Sequence, residues 1–206
     1  MNILYLDIET LPAPPEVEPA ILEQYNKIPE RSFSFEDYWR RTSLSANYGQ
    51  ILCISYAKND EPTQNLIGAE REILENFWPL ALGVDRFVGH NALDFDLPFI
   101  VKRSIIQRIK PSRSISFARY RSEPIFDTMR EWDNWSSSPS TSLDRLAKIF
   151  GYETSKQGID GSQVYDFWKA GRTQEIYDYC ARDVELTRKI YKRLTFQDTT
   201  EELNNG

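Results

Sequence analysis

Asn2-Ile3-Leu4-Tyr5-Leu6-Asp7-Ile8-Glu9-Thr10 is the stretch around which the fold is organised. Its nearly continuous apolar run is typical of a central strand buried on both faces. Because side chains alternate along a strand, Asp7 and Glu9 point to the same face as Tyr5. Two ionised carboxylates on a buried strand require partners, and a divalent cation can bind both. The stretch therefore predicts a buried strand that carries a candidate metal site.

The one-residue spacing of these two acids is not diagnostic by itself. The same spacing recurs in other pairs, among them Glu16/Glu18, Glu70/Glu72, Glu131/Asp133 and Asp183/Glu185, and such pairs usually lie on solvated surfaces. Asp7 and Glu9 differ because an apolar strand leads into them and Leu11-Pro12-Ala13-Pro14-Pro15 then breaks it. This places both acids at the carboxyl end of a strand, and further acids are needed to complete a metal site.

Length and composition indicate a single well-packed domain. The chain has 206 residues, of which 40% are hydrophobic, enough for one core and short for two. We expect a cytoplasmic protein, because no long uncharged apolar stretch and no signal-peptide pattern is visible. The two cysteines, Cys53 and Cys180, are too few for a disulfide framework, and we expect buried thiols.

Positive charge is concentrated in one segment of an acidic chain. The formal net charge is -6, yet residues 97–122 contain no acid. The basic residues of this segment are Lys102, Arg103, Arg108, Lys110, Arg113, Arg119 and Arg121. Such a segment is usually a solvated helix face with its loop, but it is also where a phosphate backbone would be attracted.

The order of predicted elements indicates an α/β domain. Residues 12–48 are rich in proline, then in acids, then in aromatics, and predict a long excursion with short helices near 19–25 and 35–41. Strands are predicted at 50–58, 63–68, 86–89 and near 125, and helices at 70–82, 96–109, 142–151, 163–168 and 173–194. Residues 112–121 are predicted to be a loop or an irregular strand. The pattern predicts a mixed sheet with helices on both faces, in one domain.

Acids on later elements are candidates to complete the site. Tyr179 and Asp183 are four residues apart on the packed face of the last predicted helix. A buried Asp requires a counter-ion, and Arg182 or Arg188 is the alternative to a metal. Either Asp94 or Asp96 can cap the helix that follows it.

Between these two, Asp96 is the better ligand candidate because Asn91 and Phe95 precede it, whereas Asp94 is the better cap or surface acid. His90 is the only histidine in the chain. After a short strand, a histidine is more often packed or hydrogen-bonded than catalytic.

Three motifs in order resemble those of a known family. The stretches Asp7-Ile8-Glu9-Thr10, Asn91 to Phe95-Asp96, and Tyr179 to Asp183 resemble the exonuclease motifs of the DEDD superfamily, whose members are DnaQ-like. Tyr179 matches the tyrosine branch, since the histidine branch would carry histidine at the position of Asp178. The chain is most similar to predicted 3′-to-5′ exonucleases related to the proofreading domain of family B DNA polymerases. Those proteins share the pattern found here at 158–164 and the ending Tyr-Cys-x-x-Asp-Val found at 179–184.

The resemblance implies an RNase H-like fold and a set of site residues. It implies an exonuclease domain over residues 1–196, with 12–48 as a long excursion and 197–206 as a tail. Two Mg²⁺ or Mn²⁺ ions would be held by Asp7, Glu9, Asp96 and Asp183. Asp7 would bridge both ions, Asp96 would hold the second largely through water, and Tyr179 would orient the attacking water. The oxygen ligands argue against zinc. The residues expected to bind substrate are Thr10, Leu11, Asn91, Lys102 and Arg103.

Several functions remain open from the sequence. The first is a metal-dependent 3′-to-5′ exonuclease that hydrolyses single-stranded DNA to nucleoside 5′-monophosphates by a two-metal-ion mechanism. An RNA-trimming exoribonuclease of the same fold and a non-catalytic nucleic-acid-binding module are the alternatives. A two-carboxylate glycosidase is less well matched, because a crowded four-acid site suits metal better than one protonated acid.

Overall fold

A five-stranded mixed sheet forms the centre of the molecule in the computed structural model, which describes residues 1–136, 140–155 and 158–198. The strands are β1 (Ile3–Leu11), β2 (Gln50–Lys58), β3 (Gln64–Ile67), β4 (Arg86–Gly89) and β5 (Ile125–Asp127). Their order in the sheet is β3-β2-β1-β4-β5. β1, β2 and β3 pair antiparallel, whereas β4 is parallel to β1 and β5 is parallel to β4. β1 is therefore the central strand, as its apolar sequence predicts.

Eight α-helices surround the sheet within the described residues. They are α1 (Glu18–Asn26), α2 (Phe35–Arg41), α3 (Glu70–Ala81), α4 (Asp96–Ile106), α5 (Thr128–Trp132), α6 (Leu143–Phe150), α7 (Val164–Lys169) and α8 (Thr173–Leu194). Short 3-10 turns lie at Pro15–Val17, Thr42–Leu44 and Gly161–Gln163. The predicted start and end of α8 are confirmed, and those of most other elements agree within a few residues.

The two faces of the sheet are covered by different helices. Leu4 and Leu6 face a core that includes Phe77 of α3 and Ile100 of α4. The opposite face carries Tyr5, which packs with residues of α8. Alternation along β1 thus directs Asp7 and Glu9 toward the α8 side. The predicted RNase H-like α/β fold, with one domain and helices on both faces, is confirmed.

The excursion between β1 and β2 packs as a small unit of its own. Ser34 caps α2 in a reciprocal capping box with Asp37. Trp39 and Ile21 are buried together, and aromatic side chains surround them. The aromatics of this segment therefore mainly cover a core edge.

Other sequence expectations are also settled by the fold. Residues 112–121 form no regular strand. Cys53 and Cys180 are buried free thiols. Among the described residues, none of the helices combines the length and apolar character required to cross a membrane.

Candidate active site

Strand β1 presents the first two acids at its carboxyl end. Glu9 is 9% exposed, and Asp7 is partly buried. Opposite them on β2 lie Ser55 and Cys53, and the pairing shifts register directly after Glu9. Such an irregularity next to a site re-aims the side chains that follow it. The strand therefore holds both carboxylates on rigid backbone toward its carboxyl end.

Helix α8 places Tyr179 and Asp183 against the same strand. The two residues are one turn apart, each is 7% exposed, and the Asp183 charge acts on the Tyr179 hydroxyl. Between them, the Cys180 thiol lies 3.3 Å from Asp7 Oδ2. This contact brings the end of β1 and the middle of α8 together.

The sequence alternative of an arginine counter-ion for Asp183 is not what the structure shows. Arg182 donates to the Ser155 carbonyl, and Arg188 contacts Glu185 and the backbone of Glu61. The two arginines therefore stabilise neighbouring segments.

Asp96 completes the set from the first residue of α4. Parallel pairing between β1 and β4 ends at Tyr5 and Val88, which leaves the Ile8 amide available on that side. Asp96 Oδ1 accepts a hydrogen bond from this amide at 3.0 Å. Because Ile8 lies between Asp7 and Glu9, this bond fixes Asp96, which is 2% exposed, beside both acids.

The four carboxylates repel one another in a poorly hydrated site. Burial, followed by the charges of neighbouring groups, raises the pKa of Asp7 and of Glu9 well above the ordinary range. Burial raises the pKa of Asp96 to about 7, although the Ile8 hydrogen bond opposes the shift. Asp183 is among the charges that act on all three. A site that concentrates negative charge in this way favours a bound cation.

The donor atoms fit a hard divalent cation. Ligand atoms of Asp7, Glu9 and Cys180 lie within 4.8 Å of one another. Burial raises the pKa of the Cys180 thiol, and sulfur is a softer donor than a carboxylate oxygen. The carboxylate oxygens therefore dominate the site, and oxygen donors suit Mg²⁺ or Mn²⁺ better than Zn²⁺.

Asp127, at the end of β5, is a site-organising acid that the sequence analysis does not identify. It is 1% exposed, and its two oxygens accept four backbone N–H bonds at 3.0 to 3.2 Å, from Asn91, Leu93, Met129 and Arg130. These bonds clamp the turn between β4 and α4, which places Asp96. The position of Asp127 directly after an apolar strand and before a helix is the signal that predicts a cap.

The tight β4–α4 turn also explains two further residues. A Cβ at Gly89 would lie 2.4 Å from Ala92 Cβ, so only glycine fits there. Asn91 has a φ of 67°, a left-handed conformation that asparagine adopts more readily than most residues. His90 contacts Thr128 through Nδ1 and the Thr141 carbonyl through Nε2, which confirms that it is a hydrogen-bonded structural residue.

Only some of the residues predicted to bind substrate lie beside the acids. Thr10 follows Glu9 and donates to the Ser43 carbonyl at 2.8 Å. Leu11 packs in one cluster with Tyr179. Asn91 lies in the turn described above, and Lys102 is exposed on α4. The structure thus brings Thr10 and Leu11 to the acids through β1 itself.

Arg103 requires a correction. It is 6% exposed and makes two bonds to the Glu70 carboxylate, at 2.7 and 2.8 Å. It also contacts the Ala46 carbonyl. A guanidinium committed to a buried ion pair is unavailable to guide a nucleic-acid strand, so Arg103 stabilises the packing of α3 against α4.

Other members of the basic segment also have partners within the chain. Arg119 pairs with Asp94 at 2.8 Å, and Arg130 of α5 pairs with the same carboxylate. Arg113 contacts the Val84 carbonyl. Asp94 is thus a surface acid in an ion-pair cluster, as its sequence context predicts. Fewer basic side chains of residues 97–122 are therefore available to a ligand than the sequence contains.

Comparison with known proteins decides the family. Residues 42–205 match the family described as predicted 3′-5′ exonucleases related to the exonuclease domain of PolB, the family B DNA polymerase. The chain belongs to this family. The matched region includes Asp96, Tyr179 and Asp183, and it begins after β1 and most of the excursion.

Individual relatives agree with this assignment. The chain is 26% identical over 157 residues to a DNA polymerase of Archaeoglobus fulgidus, covering 70% of this chain and 20% of that protein. Its fold is similar to the family B DNA polymerase of the hyperthermophilic archaeon Pyrobaculum calidifontis, with a TM-score of 0.66 and 18% identity. That similarity covers 95% of this chain and 24% of the polymerase. The chain therefore spans about a fifth to a quarter of the length of these relatives.

Proposed function

We propose that the protein is a metal-dependent 3′-to-5′ exonuclease that hydrolyses single-stranded DNA to nucleoside 5′-monophosphates. The observation that carries the proposal is the meeting of four carboxylates from β1, α4 and α8 beside Tyr179. Those carboxylates are Asp7, Glu9, Asp96 and Asp183. A binding module would not require so much mutually repelling charge at one point.

Exonuclease domains of this kind use divalent metals, and the four acids would hold two Mg²⁺ or Mn²⁺ ions. When bound, the ions would neutralise charge on the scissile phosphate, activate water and stabilise the leaving 3′ oxygen. The chain's own contribution is to keep the acids in position, through the β1 backbone and through the Ile8 bond to Asp96. Four carboxylates also balance the charge of two divalent ions.

Tyr179 is proposed to orient the attacking water by a hydrogen bond. Burial, followed by the Asp183 charge, raises the pKa of its hydroxyl above the ordinary value for tyrosine. A hydroxyl that stays protonated at neutral pH is a poor general base and a good donor. The side chain is fixed for this role by its packing against Leu11.

DNA is the proposed substrate because the similar proteins are DNA polymerases. Glu9 and the backbone of Thr10 and Leu11 are proposed to receive the terminal 3′ hydroxyl at the end of β1. We assign residues 1–196 to the exonuclease domain, with 12–48 as an excursion and 197–206 as a tail. Residues 199–206 lie outside the part that the structure describes.

Digestion of a 5′-labelled single-stranded DNA, beside its RNA counterpart, tests the proposal. We expect a ladder that shortens from the 3′ end with Mg²⁺ or Mn²⁺ and no cleavage with EDTA. Asp183→Asn should lose activity, whereas Asp178→Asn, on the exposed side of the same helix, should retain it. Strand binding without cleavage under any metal condition would instead identify a binding module, and exclusive cleavage of RNA would identify an exoribonuclease.

A further inference from the structure

Cys180 lies among the site acids, although the proposed reaction gives it no role. Its side chain is fully buried, and it precedes Asp183 by three residues on the same face of α8. The Cys180 sulfur lies 3.3 Å from Asp7 Oδ2 and 3.4 Å from the Asp7 backbone carbonyl oxygen. The thiol therefore donates toward two oxygens of one residue and connects α8 to the strand that carries it.

The Asp7 carboxylate has little else to fix its orientation. Among the residues that the structure describes, the Cys180 thiol is the one group that donates a hydrogen bond to it. Ser55 lies opposite Asp7 on β2, but its hydroxyl donates to Asn65 Oδ1 at 2.6 Å. The charges of the other three acids repel the Asp7 carboxylate. The thiol is therefore the polar contact that opposes its rotation.

A thiol differs in strength from the donors that hold the other buried acids. Asp96 accepts a backbone N–H bond from Ile8, and Asp127 accepts four such bonds. An S–H group is a weaker donor than an N–H group. It can orient the Asp7 carboxylate while it withdraws little negative charge from the oxygens. A carboxylate held in this way keeps its capacity to bind cations.

We propose that Cys180 is a positioning residue, whose thiol orients the Asp7 carboxylate for the incoming cations. Groups that hold a metal ligand in place change metal affinity about 10- to 100-fold when they are removed. The inference rests on the proposed function, because it takes Asp7 as a cation ligand. It adds a residue that acts through Asp7 and contacts neither the cation nor the substrate.

Matched cysteine substitutions test this role through cation binding, without turnover. Mn²⁺ is titrated into the purified protein, and the free ion is followed by electron paramagnetic resonance. Cys180→Ala removes the donor and should weaken Mn²⁺ binding about tenfold. Cys53→Ala is the matched control, because Cys53 is the other fully buried free thiol and lies opposite Glu9 on β2. Equal affinities in the two alanine variants would overturn the proposal.

Restoring a donor distinguishes orientation from packing. Cys180→Ser supplies an O–H donor, whereas Cys180→Val fills the space without a donor. Serine should recover most of the Mn²⁺ affinity that alanine loses, and valine should not. The serine and valine variants give the same comparison if Cys180→Ala does not fold. Equal Mn²⁺ affinity in these two variants would show that the side chain acts through packing, against the proposal.

A second cation separates orientation from direct ligation. Ligand atoms of Asp7, Glu9 and Cys180 lie within 4.8 Å of one another, and thiolates select softer cations such as Zn²⁺. Zn²⁺ is therefore used to compete with Mn²⁺ in the same titration. If the thiol only orients Asp7, Cys180→Ser should change both affinities by the same factor. A selective loss of Zn²⁺ affinity would identify the sulfur as a ligand and overturn the proposal.

The binding measurements also keep this inference distinct from the proposed reaction. Donor-dependent Mn²⁺ affinity in a protein that cleaves no DNA would uphold the role of Cys180 and reject the exonuclease. DNA cleavage by the wild type, with unchanged Mn²⁺ affinity in Cys180→Ala, would do the opposite.

Discussion

Two groups of buried carboxylates lie a short distance apart and have opposite surroundings. Asp127, at the end of β5, accepts four backbone N–H bonds. Asp7 and Glu9, at the end of β1, face each other and two further acids. A satisfied carboxylate stabilises a turn, whereas crowded carboxylates cost stability until a cation joins them. The difference in hydrogen-bond partners separates a structural acid from a candidate ligand.

The largest expected effect is a loss of activity when Asp7, one of the four crowded acids, is replaced. Asp7→Asn keeps the shape of the side chain and removes its charge, so the site should lose affinity for cations. We expect kcat/KM on single-stranded DNA to fall roughly a thousandfold. Circular dichroism should show an intact fold. Wild-type activity in this variant would contradict the role assigned to Asp7.

A change at Asp127, whose oxygens accept four backbone N–H bonds, should reduce stability more than activity. Asp127→Ala leaves buried amides without an acceptor and should cost about 3 kcal/mol of the free energy of unfolding. For a chain of this size, the melting temperature should fall by roughly 6 to 12 °C. Residual activity, measured well below the new melting temperature, should exceed that of Asp7→Asn. Unchanged stability would show that the hydrogen-bonded clamp is not required.

His90 contacts Thr128, the residue after Asp127. It therefore provides a smaller, pH-dependent test of the structural role of this region. Burial lowers the pKa of this imidazole from 6.5 to about 4, with bonds to Thr141 and the Asp133 charge opposing the shift. Between these values the unfolded chain binds a proton that the folded chain does not, so stability falls as the pH falls below 6.5. The loss from His90 should be about 2 kcal/mol between about pH 7.5 and about pH 5.

Urea unfolding of the wild type and His90→Gln at both pH values isolates this contribution. The variant should be less stable near pH 7.5 but should lack the 2 kcal/mol component of the pH dependence. If both proteins lose the same stability on acidification, His90 is not the titrating group.

The sequence could predict those features of the fold and of the candidate site that local pattern determines. The apolar run of β1 and the helical spacing of Tyr179 and Asp183 predict which face each residue occupies. The alternation of elements predicts the mixed sheet. These patterns were sufficient for the fold and for the candidate acids on three elements.

The remaining features depend on partners that are distant in sequence. Arg103 has a partner, Glu70, that lies 33 residues away, and a basic segment gives no sign that one member is buried. Asp127 binds backbone amides of the β4–α4 turn, which carry no side-chain signature. Arg40 likewise meets Asp166, which lies 126 residues away in the sequence.

Direct measurement of Mn²⁺ binding tests the central claim, that the crowded acids form a cation site. Electron paramagnetic resonance of free Mn²⁺ can be followed during titration of the wild type, Asp7→Asn and Asp178→Asn. We predict saturable binding by the wild type and by Asp178→Asn, and affinity at least about tenfold weaker in Asp7→Asn. Equal binding by all three proteins, or none by the wild type, would contradict the account.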